Sequence, residues 1–126
     1  MSEDSGEQHP LLERAQCLLS ASRRKRSLFA DCRIDIGDPV WDILLGLLVS
    51  GARTRQVLLE ELIDHVGLPE IVTRRYAAQL CEAGLAIQDQ GHAGQAAPRF
   101  RLTRKGEGRV TAFLEHKADN RRPNRA

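Results

Sequence analysis

The side chains with the clearest chemistry cluster in a predicted helix over residues 69–83. An arginine there can donate two parallel hydrogen bonds to O6 and N7 of a guanine, and a threonine can contact a thymine methyl group or a phosphate. The residues suited to such contacts are Thr73, Arg74, Arg75 and Gln79. The pattern predicts a helix that reads base edges of duplex DNA, although an exposed helix with two adjacent arginines is also common as a solvated face.

Further arginines lie on either side of this helix. Arg53 and Arg55 fall in a predicted loop before a short helix over 60–66, and Arg99 and Arg101 alternate along a predicted strand. Basic side chains in such places position a protein on DNA through phosphates or the minor groove. We expect phosphate contacts from all four. A solvated loop and the outer side of a strand are the simpler alternatives. The predicted hairpin tip, 91–98, contains no Lys or Arg.

The spacing of apolar residues predicts the elements that hold these side chains. Apolar residues three and four apart predict a helix over 10–22, followed by a basic hinge. Asp38 is a good N-cap and Gly51 a good C-terminal stop for a central, buried helix. Gly67 and Gly84 end the helices over 60–66 and 69–83, and Thr103 caps a last helix to about 117. Short strands are predicted over 56–59, 86–90 and 99–103. The inward-facing residues are predicted to be Val72, Tyr76 and Leu80 in the helix over 69–83, and Ile87, Phe100 and Leu102 in the hairpin.

The predicted order is helix, helix, short strand, helix, helix, strand, strand, helix. Two helices joined by a short turn with a glycine form a helix-turn-helix, and a β-hairpin directly after them forms a wing. The predicted fold is therefore mainly α with a small β-hairpin, a winged helix-turn-helix with extra N- and C-terminal helices. Its predicted divisions are a disordered tail (1–9), an N-terminal helix and basic linker (10–36), the winged helix-turn-helix with its C-terminal helix (37–117) and a basic tail (118–126).

Charge is unevenly distributed along the 126 residues, although the net charge is only +2. Residues 27–98 carry ten acidic residues and five arginines, a net charge of −5, whereas residues 99–126 carry a net charge of +6. Aromatic residues make up only 4%, which favours packed helices over a sheet sandwich. The acidic middle of the chain would repel phosphates. It favours the alternative that the winged helix binds a protein rather than DNA.

Several function classes find no support in the residues. No catalytic constellation or phosphate-binding glycine loop is recognisable, which predicts a non-enzyme without a cofactor. The three cysteines form no CxxC pair and the four histidines are scattered, so no metal site is predicted. Residues 1–9 do not resemble a signal peptide, and the longest apolar run, 43–49, is too short for a bilayer, which predicts a cytoplasmic protein with reduced thiols. Arg33 beside Cys32 is a weak signal for a lowered thiol pKa, which leaves a redox-responsive regulator as a hypothesis.

The stretch from 37 to 114 resembles bacterial MarR-like winged-helix regulators. The sequences that carry the resemblance are GDPVWDILL over 37–45, GLP over 67–69, RY over 75–76, LCEAGL over 80–85 and FRLT over 100–103, followed by Gly106. The resemblance implies a DNA-binding transcriptional regulator with the helix over 69–83 in the major groove and the hairpin over 86–103 as the wing.

The sequence departs from this pattern at the starts of both helices of the motif. Ile71 and Val72 stand where the family tends to have small polar residues, and Glu60 and Glu61 replace a Ser or Thr cap. These departures favour the alternative, a winged-helix protein–protein interaction module without sequence-specific DNA binding. The apolar stripes of the first and last helices predict that these helices pack together or form a homodimer. The sequence identifies no small-molecule effector.

Overall fold

The computed structural model describes residues 9–89 and 98–116, apart from the side chains of Arg53 and Thr54. The elements follow the predicted order. In chain order they are α1 (Pro10–Leu28), a 3₁₀ turn (Ala30–Cys32), α2 (Asp38–Thr54), β1 (Val57–Leu58), α3 (Leu59–Val66), α4 (Glu70–Glu82), β2 (Ala86–Asp89), β3 (Arg99–Leu102) and α5 (Arg104–Leu114). The predicted tail over 118–126 and residues 91–97 of the predicted hairpin tip lie outside the described residues, as do residues 1–8.

The basic run over 23–26 is part of α1, so the prediction of a hinge after residue 22 is wrong. Arg and Lys are good helix formers, and cations are favourable in the last turn of a helix. Two of the four side chains also pack on aromatic rings. The Arg24 guanidinium lies 4.3 Å from the ring centroid of Phe113, and the Lys25 ammonium lies 4.9 Å from that of Trp41. These contacts extend α1 and fasten its C-terminal end to α2 and α5.

Helix α2 begins and ends slightly differently from the prediction. Gly37, rather than Asp38, is the N-cap, so Asp38 is the first helical residue. The helix continues past Gly51 to Thr54, and Arg55 closes it in the left-handed region with φ of 71°. The Arg55 N–H donates to the Gly51 carbonyl at 2.8 Å, which satisfies one of the last backbone acceptors.

The three strands form one antiparallel sheet in the order β1-β3-β2. Val57 lies opposite Phe100, and Ala86 lies opposite Leu102, so the short first strand that the sequence predicts pairs with the hairpin. Phe100 points into the core as predicted. Ile87 does not, because it is 38% exposed and Ala86 is the buried residue of β2. Side chains alternate along a strand, so an error of one residue reverses the assigned face.

The core surrounds α2, as its nearly uniform apolar sequence predicted. Its fully buried side chains come from the helices α2 to α5, the sheet and the adjoining loops. Among them are Ile43, Leu44, Leu47, Leu62, Leu80, Leu85, Phe100 and Val110. Burial of each such aliphatic side chain is worth about 1.5–3 kcal/mol. No helix among the described residues is long and apolar enough to cross a membrane.

Helix α5 begins at the predicted cap. The Thr103 hydroxyl accepts a hydrogen bond from the Gly106 N–H at 2.9 Å and donates to the Gly84 carbonyl at 2.7 Å. The helix start is therefore fixed to the turn that follows α4. Gly106 is required there, because a Cβ at this position would lie 2.1 Å from the Leu85 carbonyl oxygen. The helix ends at Leu114 rather than near 117.

Candidate nucleic-acid interface

Helices α3 and α4 are joined by a tight turn with the predicted chemistry. Gly67 closes α3 with φ of 71°, a backbone conformation that favours glycine, and Pro69 is the N-cap of α4. The start of α3 lacks a Ser or Thr cap, but the Glu61 carboxylate accepts a hydrogen bond from the Leu58 N–H at 3.0 Å. Glu61 thus serves the local structure, and the helix-turn-helix forms without the usual cap.

The buried face of α4 differs from the predicted one by about one residue. Thr73, Ala77 and Leu80 are its buried residues, whereas Val72 and Tyr76 are only half-buried. Each residue advances a helix by about 100°, so this shift turns the face that points outward. The outward face includes Ile71, Arg74, Arg75 and Ala78, with Glu70 and Glu82 at the two ends of the helix, and all six are exposed.

Thr73 is not available to a ligand, so its predicted role in DNA contact is wrong. Its side chain is fully buried, and its hydroxyl donates to the Pro69 carbonyl at 3.0 Å. This bond satisfies the hydroxyl within the first turn of α4. The sequence carries no signal that separates this structural role from a base contact.

The two adjacent arginines of α4 have different surroundings. Arg74 donates to the Glu70 carboxylate at 2.9 Å, one helical turn earlier, with both side chains more than half exposed. Arg75 is exposed and makes no hydrogen bond or ion pair among the described residues. Gln79 is half-buried, one turn further along. Arg75 is therefore the predicted base-reading residue with the freest charged group.

Three arginines line a cleft of about 530 Å³ between the end of α2, β3 and the start of α5. They are Arg55, Arg101 and Arg104, with Leu47, Leu48, Leu102 and Glu107 among the other lining residues. Among the described residues, none of the three guanidiniums has a hydrogen-bond or ion-pair partner. Two predicted phosphate contacts, Arg55 and Arg101, thus lie together in this cleft. We call the cleft, with its three arginines, the arginine cleft.

Arg104 is a residue of the arginine cleft that the sequence analysis missed. It is the first residue of α5, directly after the Thr103 cap. A cation is unfavourable at a helix N-terminus, because the exposed N–H groups there carry partial positive charge. An arginine immediately after a capping threonine does not stabilise its own helix. This position is therefore a signal, visible in the sequence, for a contact outside the helix.

The other two predicted phosphate contacts lie apart from the arginine cleft. Arg99 is exposed at the start of β3, opposite Leu58 and Asp89 in the sheet. Arg53 belongs to the last turn of α2 rather than to a loop, and its side chain lies outside the described part of the chain. The hairpin-tip residues His92 and Gln95 also lie outside it.

A smaller hollow of about 270 Å³ lies between α3, α4 and the start of β3. Its charged lining residues are Glu60, Glu70 and Arg74. The Leu59 N–H donates to the Pro98 carbonyl at 3.3 Å, which holds the base of the hairpin against α3. Two acidic residues from the middle of the chain, Glu60 and Glu70, thus lie at the start of α4, next to the arginines of its outward face.

Cys32 does not have the environment of a reactive thiol, so the signal from Arg33 is misleading. The side chain is buried, and burial together with a hydrogen bond to Asp31 raises the thiol pKa. Burial also raises the pKa of Cys81. A raised pKa disfavours the thiolate, which is the reactive form. No group of three or more His, Cys, Asp or Glu residues in the described ranges could hold a metal ion.

Several solved structures of bacterial proteins share this fold. Rv1404 from Mycobacterium tuberculosis matches with a TM-score of 0.58 at 20% identity, over 94% of this chain and 80% of that one. A MarR family transcriptional regulator from Silicibacter pomeroyi matches with a TM-score of 0.56 at 22% identity, over 90% and 76% of the two chains. Bordetella bronchiseptica BpsR, whose DNA binding is regulated by 6-hydroxynicotinic acid, matches with a TM-score of 0.56 at 15% identity, over 81% and 76%.

No family model and no curated protein matches the chain. At identities near 20% the structural likeness establishes the fold. The predicted winged helix-turn-helix with additional terminal helices is confirmed, and it is the fold of MarR family structures.

Proposed function

We propose that this chain is a DNA-binding transcriptional regulator that places α4 in the major groove of duplex DNA. The observation that carries the proposal is the outward face of α4, where Arg74 and Arg75 are exposed at the second helix of a helix-turn-helix. Thirteen helical residues span about 20 Å, and the groove, about 12 Å wide, admits a helix. Arg75 has its five donors available for a guanine edge.

The arginine cleft and Arg99 supply the phosphate contacts in this proposal. The three guanidiniums of the cleft have no partner among the described residues, and they lie at the end of α2, in β3 of the wing and at the start of α5. Each phosphate that the protein neutralises steepens the slope of log K against log salt concentration by nearly one unit. Arg53 is retained as a further phosphate contact from the end of α2. These residues offset the acidic charge of Glu60 and Glu70 near α4.

A homodimer formed through α1 and α5 is part of the proposal. No residue of α1 is fully buried within its own chain. Its exposed leucines, at 52–80% exposure, are spaced along one face: Leu11, Leu12, Leu18 and Leu19. Leu114 of α5 is also 45% exposed. A second copy would remove this apolar surface from water and set two α4 helices about one DNA turn apart.

A regulator of this kind works by binding and has no catalytic step. Several of the solved structures that share the fold are transcriptional regulators, which supports a non-enzymatic role. A chromosomal partner also fits a cytoplasmic protein with free cysteines.

Selection of bound duplexes from a random pool, followed by electrophoretic shifts across a salt series, tests the proposal. We expect Arg75→Ala to raise Kd at least tenfold on the selected duplex and to relax its sequence preference. Arg101→Ala should weaken binding to all sequences and lower the salt slope by about one. Arg33→Ala, at an exposed arginine between α1 and α2, is the matched control and should change neither.

Binding that ignores salt, or that Arg75→Ala leaves intact, would overturn the DNA role. It would favour the alternative of a protein-interaction module, since Ile71 is exposed on the same face. The dimer has its own measurement, sedimentation of Leu18→Glu. We expect this variant to sediment as a single chain, while the control Val49→Glu, an exposed residue of α2, sediments as the wild-type dimer.

A further inference from the structure

We infer that Ile71 reads a thymine in the major groove by packing against its C5-methyl group. This inference rests on the proposed DNA-binding function and adds a specificity-determining residue to it. Ile71 is the second residue of α4 and is 69% exposed. A single exposed aliphatic residue is ordinary on a protein surface. The neighbours of Ile71 on the helix are what make this position informative.

Ile71 lies on one helical stripe with both arginines of α4. Positions three, four and seven residues apart share a face of a helix, and Ile71, Arg74, Arg75 and Ala78 have this spacing and are all exposed. The stripe therefore presents an aliphatic side chain, two guanidiniums and a small residue in order. Arginine reads guanine and an apolar side chain reads the thymine methyl, while the small Ala78 lets the helix backbone approach the bases.

Burial of Thr73 leaves Ile71 as the apolar contact of this stripe. Threonine could have supplied a methyl contact, but its side chain lies in the core and its hydroxyl is bonded to the Pro69 carbonyl. Val72 is half-buried. Ile71 is the one aliphatic residue in the first turn of α4 that is mostly exposed, and it lies on the outward face.

The geometry also limits where the thymine lies. Side chains four apart on a helix have Cβ atoms about 5–6 Å apart, and bases along a strand are about 3.4 Å apart. The thymine read by Ile71 and the guanine read by Arg75 therefore lie within about two base-pair steps in each half-site. The flanking charge favours DNA over an apolar protein partner, because an apolar partner would have to bury the unpaired Arg75 guanidinium.

The experiment replaces each thymine of the selected duplex, one at a time, with deoxyuridine. This change removes only the C5-methyl group and keeps the hydrogen-bonding edge. We expect one position in each half-site to raise Kd for the wild-type protein about threefold to fivefold, the effect of losing one buried methyl group. Ile71→Ala should raise Kd by at least as much. For this variant, deoxyuridine at that one position should no longer change Kd, while its effect at the other positions should remain as in wild type. Such non-additivity identifies a direct contact.

Two further variants keep the result interpretable. Val49→Ala, which shortens an exposed aliphatic residue on α2, should bind and respond as wild type. Ile71→Val should keep most of the methyl sensitivity. The inference is overturned if Ile71→Ala binds as wild type, or if it keeps the deoxyuridine effect at every position. Failure of wild-type protein to select any duplex would overturn the proposed function as well, so the two failures are distinguishable.

Discussion

Arg109 and Asp31, 78 positions apart in the sequence, form a two-bonded ion pair that joins α5 to the turn after α1. The Arg109 guanidinium donates to the two carboxylate oxygens at 2.8 and 3.1 Å. It also donates to the Leu28 carbonyl at the end of α1. The hydrogen bonds from Arg109 hold the pKa of Asp31 well below its usual range. The pair thus fixes the terminal helices to each other beside the winged helix-turn-helix.

The stability that this pair supplies should depend on pH in one direction. Because the pKa of Asp31 is lower in the folded chain, the contribution is complete at neutral pH. It is lost as the pH falls from about 4 toward the folded-state pKa. We expect Asp31→Asn to lower the free energy of unfolding at pH 7, with a difference from wild type that shrinks below pH 4. Urea unfolding at several pH values measures this. Asp64→Asn, an exposed charge-matched control, should show a smaller loss at pH 7.

The start of α5 should tolerate a methyl group at one glycine and not at another two residues away. A Cβ at Gly106 would lie 2.1 Å from the Leu85 carbonyl oxygen, whereas a Cβ at Gly108 would meet nothing within 4 Å. We expect Gly106→Ala to destabilise the fold by about 1–3 kcal/mol through overpacking. Gly108→Ala should stabilise it by up to about 1 kcal/mol through helix propensity. Equal unfolding midpoints in urea for the two variants would contradict this account of the close approach.

Thr73 should matter for folding and not for DNA contact. Thr73→Val removes the hydroxyl that donates to Pro69, and we expect a loss of about 1 kcal/mol in the free energy of unfolding. The Pro69 carbonyl keeps its bond from the Thr73 N–H at 2.9 Å, which limits the cost. Kd for the selected duplex should stay within about twofold of wild type. Thr73→Ser, which keeps the hydroxyl, is the comparison. A large rise in Kd at unchanged stability would restore a role in base contact.

The Glu70 carboxylate should restrain DNA binding, since it holds Arg74. Glu70→Gln releases this guanidinium and removes a negative charge from the start of α4. Exposed pairs of this kind are worth about 0.3–0.5 kcal/mol, so stability should change little. We expect a lower Kd and a salt slope steeper by up to about one unit in electrophoretic shifts. Glu82→Gln, at the other end of α4, is the control. If both variants behave alike, the start of α4 does not face the phosphates.

Local chemistry alone determined the order of elements and several of their ends. Gly67 and Gly84 adopt positive φ where the sequence predicted helix stops, and Thr103 caps α5 as predicted. Such features depend on residues within one or two turns of each other, so they are readable without knowledge of the rest of the chain. The same holds for the turn at Pro69 and for the alternating exposure along β3.

Only the tertiary structure decided which faces those elements bury and which distant side chains meet. A helix that turns by one residue exchanges Val72 for Thr73 in the core, and the choice depends on packing against α2. The basic run continues α1, and its Lys25 and Arg24 pack on the rings of Trp41 and Phe113. The arginine cleft exists because the end of α2, β3 and the start of α5 converge. Sequence spacing carries no information about these meetings, since each joins residues from separate elements.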